Sequence, residues 1–144
     1  MKKLVLSAAL ASIVLPGVTS AQSFAEQIIN VRVNPTEGGA FEVVEEPFLG
    51  PAQMWCAAGI YARHVLKVSR GQLYISEGYG PAKTRRGGRG VSFTTKEVPG
   101  AFTSFSANYR RAGLTKSLGT AIALCESDRD LRIRIRTAAG RFSR

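Results

Sequence analysis

Histidine, cysteine and tryptophan are scarce in this 144-residue chain: it has one His (His64), one Trp (Trp55) and two Cys (Cys56 and Cys125). A closed zinc site needs four converging ligands, and one His with two distant Cys does not supply them. Cys56 and His64 lie eight residues apart in a segment with helical spacing, about 12 Å along a helix axis, which is too far for a local nucleophile–base pair. His64 could meet Cys125 only if that thiol were reduced. The Trp-Cys of "MWCAA" (54–58) opens like a thioredoxin-type redox motif, but no second cysteine completes it. Acidic residues are also few. "ESDRD" (126–130) spaces Glu126, Asp128 and Asp130 in alternation without the central glycine and distal glutamate of a calcium loop. "GYGPAKT" (78–84) fails as a phosphate loop because Ala82, not glycine, precedes Lys83. Glu42, Glu45 and Glu46 read as an exposed acidic face. No catalytic residue, metal ligand or cofactor is implied by these patterns.

Long hydrophobic runs are missing too. The longest, Leu4 to Leu15, falls short of the roughly twenty residues needed to span a bilayer. It follows Lys2 and Lys3, and Pro16 and Gly17 break it before Thr19 and Ala21, the order of parts in a secretory signal. The reading is a cleaved signal peptide over 1–21 and one globular domain over 22–144, with no transmembrane segment, in the periplasm or secreted.

What is present is positive charge. The chain carries twenty Lys and Arg against ten Asp and Glu, formally +10, and the signal accounts for two of those cations. The remainder is lopsided: residues 22–64 hold five acids and two cations, residues 65–144 sixteen cations and five acids. Such a field attracts polyanions whatever the fold: acidic polysaccharide, lipid phosphate or nucleic acid. The cysteine pair fits an oxidising compartment as one Cys56–Cys125 bridge. Closing its 69-residue loop stabilises a fold by about 4 kcal/mol on the chain-entropy account.

Periodicity gives the elements. "EQIINVRV" (26–33) and "AFEVVEE" (40–46) flank the turn "NPTEGG" and read as a hairpin. Gly50 as N-cap and Pro51 in the first turn start a helix in which Met54, Ala58, Tyr61 and Val65 form an apolar stripe widened by Trp55, Cys56 and Ala62. "GQLYISEGYG" and "GVSFTTKEV" alternate as strands on either side of a basic tip. Residues 99–113 read as irregular, with Phe102, Phe105 and Tyr109 available as cover for the core. Residues 115–127 read as a second helix, and "DLRIRIRTA" has period two, with Leu131, Ile133 and Ile135 opposite Arg132, Arg134 and Arg136. The fold class is α+β: a small single domain in the order β-β-α-β-β-α-β, an antiparallel or mixed sheet packed by two helices and stapled by one disulfide. Its oligomeric state is not specified by any of these features.

Two groups of cations are candidate anion ligands. Lys83, Arg85, Arg86 and Arg89 crowd a glycine-rich tip, and Arg132, Arg134 and Arg136 repeat every ~7 Å along one strand face. Arginine forks hold phosphate or sulfate through two parallel hydrogen bonds. The competing explanations are solubility and protection of a sheet edge from pairing with other chains.

"WCAAGIYA" on a helix followed by "LYISEGYGPAKTRRGGRGVSFTT" resembles a group of small exported bacterial proteins. These share a Trp-Cys-(Ala/Gly)-Ala helix, a strand ending in Gly-x-Gly-Pro, an arginine-rich turn, a Val-x-Phe-Thr strand and a late second cysteine. Trp55, Cys56, Ala57, Tyr61, Ala62, Gly78, Gly80, Pro81, Thr84, Arg85, Arg86, Phe93 and Thr94 carry the likeness, which covers residues 54–95 and Cys125. The C-terminal arginine strand is outside the shared pattern. The resemblance implies a compartment and a shape, and no reaction. The expectation is an exported, non-enzymatic binding or envelope protein engaging polyanions through its basic half; the alternative is a hydrolase-like periplasmic enzyme whose site is assembled from scattered residues.

Overall fold

Eight strands form one mixed sheet in the computed structural model, which describes residues 27–126, 131–138 and 140–143. The predicted signal peptide and the acids Asp128 and Asp130 lie outside the described residues. In chain order the elements are β1 (Gln27–Pro35), β2 (Phe41–Val44), α1 (Pro51–His64), β3 (Gln72–Pro81), β4 (Arg89–Thr94), β5 (Phe102–Thr103), β6 (Leu114–Ser117), α2 (Leu118–Ala123), β7 (Leu131–Thr137) and β8 (Gly140–Ser143). Across the sheet the order is β5-β6-β3-β4-β2-β1-β7-β8. The β1–β7 and β5–β6 pairs are parallel and the other five are antiparallel.

The helix α1 begins where Gly50 and Pro51 predict, and nine consecutive residues, Met54 to Ala62, are buried. A helix apolar around most of its circumference must be covered on several sides: α1 lies on β1, β2, β7 and β8, with α2 beside it. Gly59 permits that approach, since a Cβ there would come within 2.9 Å of the Ile122 side chain. Cys56 and Cys125 form the disulfide, joining α1 to the turn after α2. Ile29, Val31 and Val33 of β1, Phe41 and Val43 of β2, Leu73 and Ile75 of β3, Val91 and Phe93 of β4, and Ile133 and Ile135 of β7 share the core with the helices. Trp55 meets Phe93 edge-on with ring centres 5.0 Å apart, and Phe41 packs on Tyr61 at 4.5 Å.

The second helix is shorter than its spacing predicts. Residues 114–117 are a strand paired with β3, and Ser117 caps α2 by accepting a hydrogen bond from the Thr120 N–H at 3.0 Å. Leu118 and Ile122 keep the expected buried stripe. The segment read as irregular, 99–113, supplies β5 and then tracks β3: Tyr79 N–H donates to Tyr109 O (2.9 Å), Gly113 N–H to Ile75 O (2.8 Å) and Trp55 Nε1 to Asn108 O (3.0 Å). Gly78 has to be glycine for this, because a Cβ would lie 2.0 Å from Arg110 O. Phe102 and Tyr109 pack against the core as expected, but Phe105 is fully exposed. No helix among the described residues is long and apolar enough to cross a membrane.

Candidate anion-binding surface

Strand alternation puts every second residue of β1, β2, β4 and β7 on the face away from the helices. On β4, β2 and β1 that face carries Ser92, Glu42 and Asn34 in register. On β1, β7 and β8 it carries Arg32, Arg136 and Arg141 in register, with Asn30 opposite Arg134 and Ile28 opposite Arg132. The two halves of this face differ in how their charges are used.

Over the central strands the basic tip folds back onto the sheet. Glu42, read from sequence as part of an exposed acidic face, is 2% exposed. Its Oε1 accepts from the Lys83 backbone N–H at 2.8 Å, and its Oε2 accepts from Thr84 N–H at 2.8 Å and Thr84 Oγ1 at 2.5 Å. Asn34 Nδ2 donates to Thr84 Oγ1 at 2.8 Å, tying β1 to the same knot. A buried carboxylate is tolerable because these donors satisfy it. Gly90 gives it room: a Cβ there would lie 2.7 Å from Val43 O and 3.2 Å from Glu42 Cγ. The tip closes on itself through Ala82 N–H to Gly88 O and Gly88 N–H to Arg85 O.

Most of the predicted tip ligands are engaged by the protein itself. Lys83 pairs with Glu77, and that hydrogen bond raises its pKa above the ordinary lysine value. Arg85 Nη1 lies 3.3 Å from Glu46 Oε1. The Arg89 guanidinium sits 4.4 Å above the Tyr79 ring, a cation–π contact. Tyr79 donates to Glu45 Oε2 at 2.6 Å, and that bond is the first cause of its raised pKa. Arg86 is exposed, beside a cleft of about 810 Å³ between the tip and residues 45–50.

On the other side of the tip, a second cavity of about 570 Å³ is lined by Ser76, Glu77, Lys83, Thr84 and Ser92 among others. The Ser76 hydroxyl is buried there without a hydrogen bond among the described residues. His64 is remote from this chemistry, stacked on Phe142 of β8 at 6.1 Å. Lys116, buried in the loop of residues 102–110, donates to Ser104 O at 2.7 Å and lies 5.6 Å from the Trp55 ring; burial lowers its pKa.

The β1–β7–β8 wing is organised otherwise. Arg132, Arg134 and Arg136 stand on one face of β7, as the period predicts, with Ile133 and Ile135 buried opposite. Because β7 lies between β1 and β8, these side chains do not guard an edge. Register adds two residues that sequence reasoning missed: Arg32 from β1 and Arg141 from β8, one on each side of Arg136. Neighbouring strands are about 4.8 Å apart, so the row starts three arginine side chains from adjacent positions on one face. Like charges directly opposite across strands are destabilising by roughly 0.2–1 kcal/mol per pair. The signal for Arg32 was in the sequence, since "NVRVN" has the same apolar–basic alternation as "RIRIR". Nothing local could tell that the two stretches are neighbours. The two groups of cations thus differ in their surroundings: most of the tip cations meet acids or an aromatic ring of the protein itself, and the wing gathers arginines from three strands. No family model, curated protein or solved structure matches the chain.

Proposed function

We propose that this chain is an exported, non-enzymatic basic protein of the periplasm or external medium that binds polyanions through the open face of β1, β7 and β8. The observation that carries the reading is the gathering of Arg32, Arg132, Arg134, Arg136 and Arg141 from three strands onto one face. Two of them come from opposite ends of the sequence. Among the described residues no side-chain hydrogen bond or ion pair engages Arg32, Arg134, Arg136 or Arg141. Arginine in such an array meets phosphate, sulfate or carboxylate groups bidentately and releases their counterions, so affinity falls with salt. The disulfide between Cys56 and Cys125 fits an oxidising compartment. The tip supports the reading indirectly: Lys83 and Arg85 are paired with Glu77 and Glu46, whereas among the described residues the wing brings no acid beside its arginines in register.

Retention on a heparin column tests the proposal. Replacing Arg132, Arg134 and Arg136 together by Gln should lower the salt needed for elution steeply, while the corresponding change at Lys83, Arg85 and Arg89 should lower it less. Equal retention of all three proteins would leave the basic surface a solubility device.

A further inference from the structure

The arginines of the wing form a T. Arg132, Arg134 and Arg136 make its stem along β7, ~7 Å apart, and Arg32, Arg136 and Arg141 make its crossbar, with ~4.8 Å between strands. A diffuse polyanion needs only the stem and the total charge. The crossbar starts three arginine side chains from adjacent backbone positions, within reach of one point, with Arg136 half-buried at its centre. Two residues beyond Arg32 on β1 is Asn34, which donates to Thr84 Oγ1 of the tip at 2.8 Å. The stem leads away towards Ile28, exposed beside Arg132.

Resting on the polyanion reading above, we propose that Arg32, Arg136 and Arg141 form one seat for a doubly charged phosphate group, a phosphomonoester or a pyrophosphate, while Arg134 and Arg132 guide the chain or surface that carries it. Three forks converging on one tetrahedral dianion relieve their mutual repulsion most efficiently. A singly charged phosphodiester or carboxylate would neutralise only part of the crossbar. Planar forks are required for this, so the seat discriminates arginine from lysine. The same dianion can come from the end of a soluble chain or from a lipid headgroup, and the two sources share one chemistry.

The test titrates the full chain with inorganic pyrophosphate at moderate salt, following arginine Nε–Hε resonances. The expected result is saturable shifts of Arg32, Arg136 and Arg141, with affinity reduced about tenfold by Arg136→Gln and less than twofold by Arg132→Gln. The two variants remove the same charge. Arg136→Lys, which keeps the charge and loses the fork, should weaken binding severalfold, and circular dichroism melts confirm that each variant is folded.

Equal weakening by Arg136→Gln and Arg132→Gln overturns the seat while leaving the polyanion reading intact. So does an absence of pyrophosphate shifts in a protein whose heparin retention still depends on the wing. Loss of both signals removes both readings. The sources are separated by two comparisons at matched charge: vesicles of phosphatidic acid against phosphatidylglycerol adjusted to equal surface charge, and a 5′-phosphorylated twelve-residue oligothymidylate against an unphosphorylated one two residues longer. A preference for the monoester in either pair supports the seat and names its source; no preference in either overturns it.

Discussion

The tip at residues 82–89 and the wing of β1, β7 and β8 are both rich in cations by sequence and opposite in use. At the tip, the backbone around Lys83 and Thr84 turns its N–H groups onto Glu42, and the side chains of Lys83 and Arg85 find Glu77 and Glu46. On the wing, register sets Arg136 between two further arginines. A cluster of cations in a sequence is therefore not yet a surface. What decides is which residues the sheet puts beside it: acids on β2 and in the turn after it turn one cluster into a structural clasp, and arginines on β1 and β8 turn the other into an exposed field.

The largest expected break in this comparison is at Glu42. Glu42→Ala removes the buried acceptor of the part-buried Lys83 and Thr84 donors, and the loss should be about 2 kcal/mol in a denaturant melt, with heparin retention nearly unchanged. The wing should respond the other way. Replacing Arg32, Arg136 and Arg141 together by Gln removes two like-charge pairs and should raise stability by up to about 2 kcal/mol. The same change should reduce the slope of log K against log salt for a DNA probe by about 2–3. A variant that lost stability and binding together would show that the wing, too, is a clasp.

Arg85→Gln sharpens the contrast further, because a partly exposed ion pair contributes about 0.5 kcal/mol or less. If thermal melts show a larger loss, the tip is held by side-chain charge and not by its backbone N–H groups on Glu42. The smallest effect concerns Tyr79. Its folded pKa lies above the ordinary 10.0, first because of its hydrogen bond to Glu45, so the stabilisation it brings is complete below pH 10 and fades as pH rises through the folded value. The stability gap between the wild type and Tyr79→Phe should be constant from pH 7 to 9 and close above pH 10 in pH-dependent melts. A gap that closed on acidification instead would make Glu45, not Tyr79, the titrating partner.

Much of the scaffold was legible. Pro51 in the first turn and the apolar residues from Met54 to Tyr61 specify α1; the alternation of "LRIRIR" specifies β7; two cysteines specify one bridge. These are local signals. The site was less legible because its parts meet through register. Arg32 and Arg141 join Arg136 only through the parallel β1–β7 and antiparallel β7–β8 pairings, which no nearby residue announces. Glu42 was misread for a related reason. It sits in "FEVV" between two core residues, which puts it on the opposite face, and only the returning tip makes that face an interior. The β6 strand was taken for helix because Leu114 to Leu118 are short of polar alternation, and Ser117 as a cap was the unused clue.

The parallel pairing of β1 with β7 also fixes an order of events. Gln27 and Leu131 are register partners, so the first strand waits for almost the whole chain before its second neighbour exists. Until then β1 has β2 on one side and an open edge on the other, and contacts of such long separation close slowly. Arg32 has neither arginine neighbour until β7 and β8 have joined the sheet. The arginine row is thus a long-range feature, and any loss of the β1–β7 pairing would scatter it.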